Sequence, residues 1–132
     1  MSREIKFRGL YKVRDKKYEK RMAYGQLDWK PGNDTRIIIH GISKTSRKYR
    51  RSVGVDFRTV GQFTGEYDAH NSEVFEGDIC WNPQSETWGE VLWDEGAWCY
   101  QWDNIIENLH DCSHELELRG NIHENPELLT HN

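Results

Sequence analysis

Polar and apolar residues alternate along most of this 132-residue chain, and a period of two predicts strands rather than helices. Glu4-Ile5-Lys6-Phe7-Arg8-Gly9 reads as a half-buried strand, which Tyr11 and Val13 extend beyond a bulge. A polar turn, Arg14-Asp15-Lys16-Lys17, leads to a returning strand over Arg21-Met22-Ala23-Tyr24-Gly25-Gln26-Leu27, so the chain begins with a hairpin. Lys30-Pro31-Gly32-Asn33-Asp34 is a break, since Pro fixes one turn dihedral while Gly and Asn accept positive φ. The β-branched run Arg36-Ile37-Ile38-Ile39-His40-Gly41 is the candidate central strand. Alternation resumes at Ser52-Val53-Gly54-Val55-Asp56-Phe57 and continues through Val60-Gly61-Gln62-Phe63-Thr64-Gly65.

The second half repeats the pattern on a shorter pitch. A turn over Tyr67 to Ser72, with Asn71 suited to a left-handed conformation, precedes Val74-Phe75 and the tight turn Glu76-Gly77-Asp78. Ile79-Cys80-Trp81, then Trp88 to Trp93, then Ala97 to Trp102 are strands, separated by the loop Asn82 to Thr87 and the turn Asp94-Glu95-Gly96. Asp103 to Leu109 places Ile105, Ile106 and Leu109 at i, i+1 and i+4, which predicts one or two helical turns capped by Asp103. Glu115 to Ile122 reads as a closing strand and Asn125 to Leu129 as a terminal cap. The fold class is therefore mainly β (α+β): a β-rich N-terminal portion, then an SH3-like small barrel, with one or two short helical turns. At this length one domain over residues 1–132 is expected, with portions 1–58 and 59–132.

Composition sharpens this picture. Hydrophobic residues make up 36% of the chain and charged ones 30%, so the core is lean and rests on six Trp, six Tyr and four Phe. Three cysteines without paired spacing fit free buried thiols in a reducing compartment. The N-terminus has no signal-peptide pattern and no apolar run is long enough to span a bilayer, so a soluble cytoplasmic protein is expected, with no membrane partner.

Charge divides the chain in two. Residues 1–60 hold 17 Lys and Arg against 6 Asp and Glu, a balance of +11; residues 61–132 hold Arg119 alone against 16 acidic residues, a balance of −15. Halves of opposite sign suit oligomer contacts, while a basic half also suits nucleic acid. The densest basic segment supplies Lys44, Arg47, Lys48, Arg50 and Arg51, with Tyr49 among them as a stacking ring. A solvated loop or a charge-protected edge strand explains the same composition. Trp98, Tyr100 and Trp102, on alternate positions, are a second candidate partner surface.

Candidate chemistry is sparse. His110, Cys112 and His114 would share one face of an extended segment, as a metal site needs, but no fourth ligand stands near them in sequence. Glu76 with Asp78, or Asp94 with Glu95, could form an acid pair, although turn residues bonding nearby amides fit the same pattern. No nucleophile turn, phosphate-cradling Gly loop or paired Cys motif accompanies them, so no enzyme activity and no cofactor are expected.

Five blocks in order carry a family resemblance: Arg3 to Gly9, Thr59-Val60-Gly61-Gln62-Phe63-Thr64-Gly65, Glu73-Val74-Phe75-Glu76-Gly77-Asp78-Ile79, Gly89-Glu90-Val91-Leu92-Trp93, and Gly120-Asn121-Ile122-His123-Glu124-Asn125-Pro126-Glu127-Leu128. Together they resemble the YopX family of bacteriophages and prophages. That resemblance implies an SH3-like C-terminal barrel, homo-oligomeric assembly, a bacterial host cell and a phage or host partner; it carries no biochemical activity. Asn71, Arg119 and His123 depart from the pattern, and Arg119 puts a charge in a presumed core strand. Two functions are thus expected: an assembly or adaptor protein, or a nucleic-acid-binding accessory protein using residues 44–51.

Overall fold

The computed structural model describes residues 4–29, 34–42 and 44–131. The break expected at residues 30–34 lies outside the described residues except for Asp34, as does Arg3 of the first family block. The chain divides into two compact units, Met1–Gln62 and Phe63–Asn132.

In the first unit β1 (Phe7–Lys12) and β2 (Lys20–Asp28) form the expected hairpin. Their register is continuous from Phe7 opposite Gly25 to Lys12 opposite Lys20, so the bulge expected after Gly9 is absent. Gly9 sits inside the strand because a Cβ there would lie 2.8 Å from the Val55 side chain. β3 (Arg36–Ile42) is interior, as its β-branched run predicts, between β2 and β4 (Lys48–Gly54). Past β4, the Val55 amide donates to the Thr35 carbonyl and the Asp56 amide to the Leu10 carbonyl, which carries the chain from β3 across to β1. A 3₁₀ turn over Phe57–Thr59, capped by Asp56, then sets Gly61 and Gln62 beside Arg8 and Phe7. The enclosed core is Ala23, Ile37, Val53 and Val55, flanked by Phe7, Tyr11, Leu27, Ile39 and Val60. Along β4 the core residue Val53 is flanked by exposed Ser52 and Gly54, whereas β1 is buried on both faces at Arg8, Gly9 and Leu10.

β5 (Gly61–Tyr67) spans the division. In the second unit its end pairs irregularly with β6 (Glu73–Phe75), where Gly65 takes φ 83°. β7 (Asp78–Asn82), β8 (Thr87–Asp94), β9 (Ala97–Trp102) and β10 (Ile105–Asn108) form a meander. α1 (Leu109–Cys112) and a 3₁₀ turn over Ser113–Glu115 then return the chain, and β11 (Glu117–Asn121) pairs with β7. The resulting order, β10-β9-β8-β7-β11 with the helical turn connecting β10 to β11, is the SH3-like arrangement. Among the described residues no ladder joins β10 to β11, so backbone hydrogen bonds do not close the sheet into a barrel.

The helix expected over Asp103 to Leu109 is a correction. Asp103 adopts φ 50° and turns the chain, so that Ile105 faces Trp102 and Asn108 faces Cys99 across a ladder. Helix begins only at Leu109, where the Asn108 side chain accepts the His110 amide at 3.0 Å. Spacing alone could not separate the two states, because four residues satisfy either period. The charge at Arg119 is accommodated by the pairing itself: the register shifts between Leu118 and Gly120, so Arg119 is the extra residue of a bulge and points to solvent beside Glu117.

Tyr100 centres the second core, fully buried among Val74, Cys80, Val91, Leu109, Cys112 and Leu116. A ring of this size removes roughly 150–250 Å² from water, worth about 4 kcal/mol. Its hydroxyl donates to the Cys80 carbonyl at 2.9 Å. Gly89, in the fourth family block, is fixed by the same ring, since a Cβ there would lie 2.4 Å from the Tyr100 Cζ.

Candidate functional site

The basic segment becomes part turn and part edge strand. Lys44 and Arg47 are exposed before β4, and Lys48, Tyr49, Arg50 and Arg51 are exposed on it. The pleat divides the last four: Tyr49 and Arg51 share the face of buried Val53, while Lys48 and Arg50 share the opposite one, Arg50 directly across from His40. The ring expected to stack on a base therefore has one arginine beside it on its own face. β4 is an open edge whose charges discourage indiscriminate pairing.

On β9 Tyr100 is no surface residue, which corrects the expectation for it. Its burial is complete, and Trp98 and Trp102 are half-buried against the same core; the alternation marks the inner face. Trp102 donates from Nε1 to Glu107 at 3.0 Å, and Trp98 packs edge-on against Trp93. The exposed apolar residues of the second unit include instead Trp93, Ile105 and Ile106, the last two on the edge strand β10. Their sequence signal is two adjacent isoleucines, a pattern that a helix face and an exposed edge strand share.

The segment His110 to His114 is helical, which separates the three proposed metal ligands. Cys112 is buried, and His110 and His114 are exposed. Among the described residues no group of three His, Cys, Asp or Glu side chains is placed to hold a metal ion. All three thiols are free and buried; burial pushes Cys112 up to about 12 and also raises Cys80 and Cys99. A thiol held protonated in this way is a poor nucleophile and a poor ligand.

Carboxylates serve the backbone. Asp78, buried, accepts the Phe75 amide at 2.7 Å across the Gly77 turn, where φ is 89°. Asp68 accepts three amides, from His70 at 2.9 Å, Ser72 at 2.8 Å and Leu118 at 2.9 Å. Burial opposes its charge, but those amides hold its pKa below the usual carboxylate value. Glu66 stands 2.8 Å from His110 Nδ1 and accepts the Ser113 hydroxyl at 3.4 Å. The hydrogen bond to Glu66 raises the His110 pKa. This trio has the residue types of a catalytic triad without its geometry, because the hydroxyl donates to the carboxylate rather than to the imidazole.

One feature of the first unit had no motif to announce it. A cleft of about 500 Å³ opens where the ends of β1 and β2 meet the strand ends around Thr35 and Gly54. Lys12 and Lys20 face each other directly on its rim, and Thr35 is buried in its wall. The only sequence trace of it is a pair of lysines eight positions apart, which becomes a cross-strand pair once the hairpin register is known.

The family model described as "YopX protein" matches residues 6–130. Among solved structures, "Crystal structure of protein EF1440 from Enterococcus faecalis" aligns with a TM-score of 0.61 at 23% identity, covering 97% of this chain and 99% of that one. A likeness at that identity speaks for the fold. No curated protein matches the chain. With an SH3-like strand order in its second unit and the family model matched over nearly its whole length, the chain belongs to the YopX family.

Proposed function

We propose that this is a non-enzymatic assembly or adaptor protein, acting in the cytoplasm of a bacterial host through protein–protein contacts, first of all between copies of itself. One observation carries the reading: the two units have opposite charge. The 17 basic residues of the first half all fall in the unit Met1–Gln62 and the 16 acidic ones of the second all fall in Phe63–Asn132, since residues 61 and 62 are uncharged. A basic edge strand, β4, and an edge strand with exposed isoleucines, β10, give a neighbouring copy somewhere to dock. Opposite fields speed and orient such encounters, while the apolar residues supply area.

Sedimentation at tens of micromolar (~10–100 µM), where weak dimers become populated, tests it. An oligomer in low salt that dissociates in high salt is expected, because screening weakens exposed charge pairs. Arg50→Glu with Arg51→Glu should shift the equilibrium to monomer. A strict monomer in low salt removes the proposal.

A second reading is favoured by the exposure of Tyr49 beside Arg51: contact with nucleic acid. It requires affinity for single-stranded DNA or RNA that falls with salt and is lost in the same double variant. Binding that is indifferent to both excludes it.

A further inference from the structure

We propose that the cleft of the first unit binds a small phosphate-bearing ligand, its phosphate between Lys12 and Lys20 and its hydroxyl groups toward Thr35. Three independent features meet there. Lys12 and Lys20 lie directly opposite on an antiparallel pair, an arrangement in which like charges repel and a dianion between them relieves the repulsion. The other charges around the cleft are already engaged. Arg36 bonds Ser52 through Nε at 2.6 Å and Nη2 at 3.1 Å, and its Nη1 lies 3.7 Å from Asp34. Asp56 is held by Arg58 through both carboxylate oxygens, at 3.1 and 2.9 Å, with Lys20 as its weaker, purely Coulombic neighbour. The surplus positive charge on the rim therefore belongs to the two lysines.

The third feature is Thr35. It is 2% exposed and lines the cleft, and its Oγ1, itself closed off from solvent, has no hydrogen-bond partner, so a ligand meets it once the Thr35 side chain turns about its Cα–Cβ bond. Buried hydroxyls are nearly always paired, and Thr59 at the same cleft shows the rule: it accepts the Leu10 amide at 2.8 Å and donates to the Asp56 carbonyl at 2.7 Å. An orphan donor in the wall, ammonium groups at the rim and the partly apolar side formed by Leu10 and Tyr11 describe a pocket with one polar end. At about 500 Å³ it exceeds a bare ion and falls in the range of small-ligand sites.

The test is an amide-resolved NMR titration of the full chain with inorganic phosphate, ribose 5-phosphate and AMP, each against chloride at matched ionic strength. Saturable shifts at Tyr11, Lys12, Lys20, Thr35 and Val55 are expected, with an organic phosphate binding more tightly than phosphate alone. Lys12→Met with Lys20→Met should weaken binding by at least about tenfold, the value of one charge-assisted hydrogen bond. Thr35→Val should weaken the organic phosphates severalfold, leave inorganic phosphate unchanged and not lower the melting temperature. Shifts that do not saturate, that persist in the double lysine variant, or that centre on residues 48–51 overturn the proposal; so does a Thr35→Val chain that melts earlier, since the hydroxyl would then be structural.

Discussion

Asp68 ties two stretches of the second unit with a single side chain, the turn at His70 and Ser72 and the strand β11 at Leu118. His70 and Ser72 share one carboxylate oxygen, so Asp68→Asn can retain that acceptor but then turns its NH2 group toward the Leu118 amide, which should cost about 2 kcal/mol, measurable by urea unfolding. The sign of its pH dependence follows from a folded pKa that lies below the unfolded one. Its stabilisation is present above the unfolded value of about 3.9 and is lost as pH falls through the depressed folded value. The parent chain should therefore lose stability more steeply than Asp68→Asn in that acid range. Little of this was legible beforehand. The Tyr67 to Ser72 turn was evident from composition, but the partner amide at Leu118 lies fifty residues away and no local pattern encodes it. Tyr100 shows the converse: alternate aromatics announced one face correctly, and only packing could say that the face is the inner one.

At the scale of elements, turn chemistry was the most readable feature. Gly65, Gly77, Gly96 and Asn71 all take positive φ, where their small or self-bonding side chains are tolerated. Strands were legible where alternation was long, as in β2, or where β-branched residues ran together, as in β3, and obscure where the pattern was short, as in β10. The bulge at Arg119 could not be foreseen, because an inserted residue looks like a broken pattern until its partner strand is known. Some turns are locally unfavourable. Glu86, exposed between β7 and β8, holds φ 54° without a glycine's freedom. That conformation costs an L-residue about 1–2 kcal/mol, and glycine forfeits about 0.5–1 kcal/mol of unfolded-state entropy. Glu86→Gly should thus stabilise the chain by about 0.5 kcal/mol, and Glu86→Ala should not; thermal unfolding of the two variants distinguishes them.

For the molecule as a whole, the sequence already carried the division by charge, and the structure places the boundary between the units at Gln62. The cleft has no contiguous signature in the sequence, because it is assembled from two hairpin lysines, a threonine before the next strand and the chain after β4. A related asymmetry concerns sulfur. Cys80, Cys99 and Cys112 all belong to the second unit, and each is buried with its thiol held protonated. Cys80 and Cys112 lie in the core, whereas Cys99 sits on the opposite face of β9, so a thiol reagent can reach the first two only when that unit opens; their labelling rate clocks the opening of one half while the other half stays chemically silent. The rate should rise in urea concentrations that loosen the second unit and remain flat under changes confined to the first. For the same reason a dimer linked through Cys80 or Cys112 on a non-reducing gel would record chains that had unfolded, not chains that had assembled.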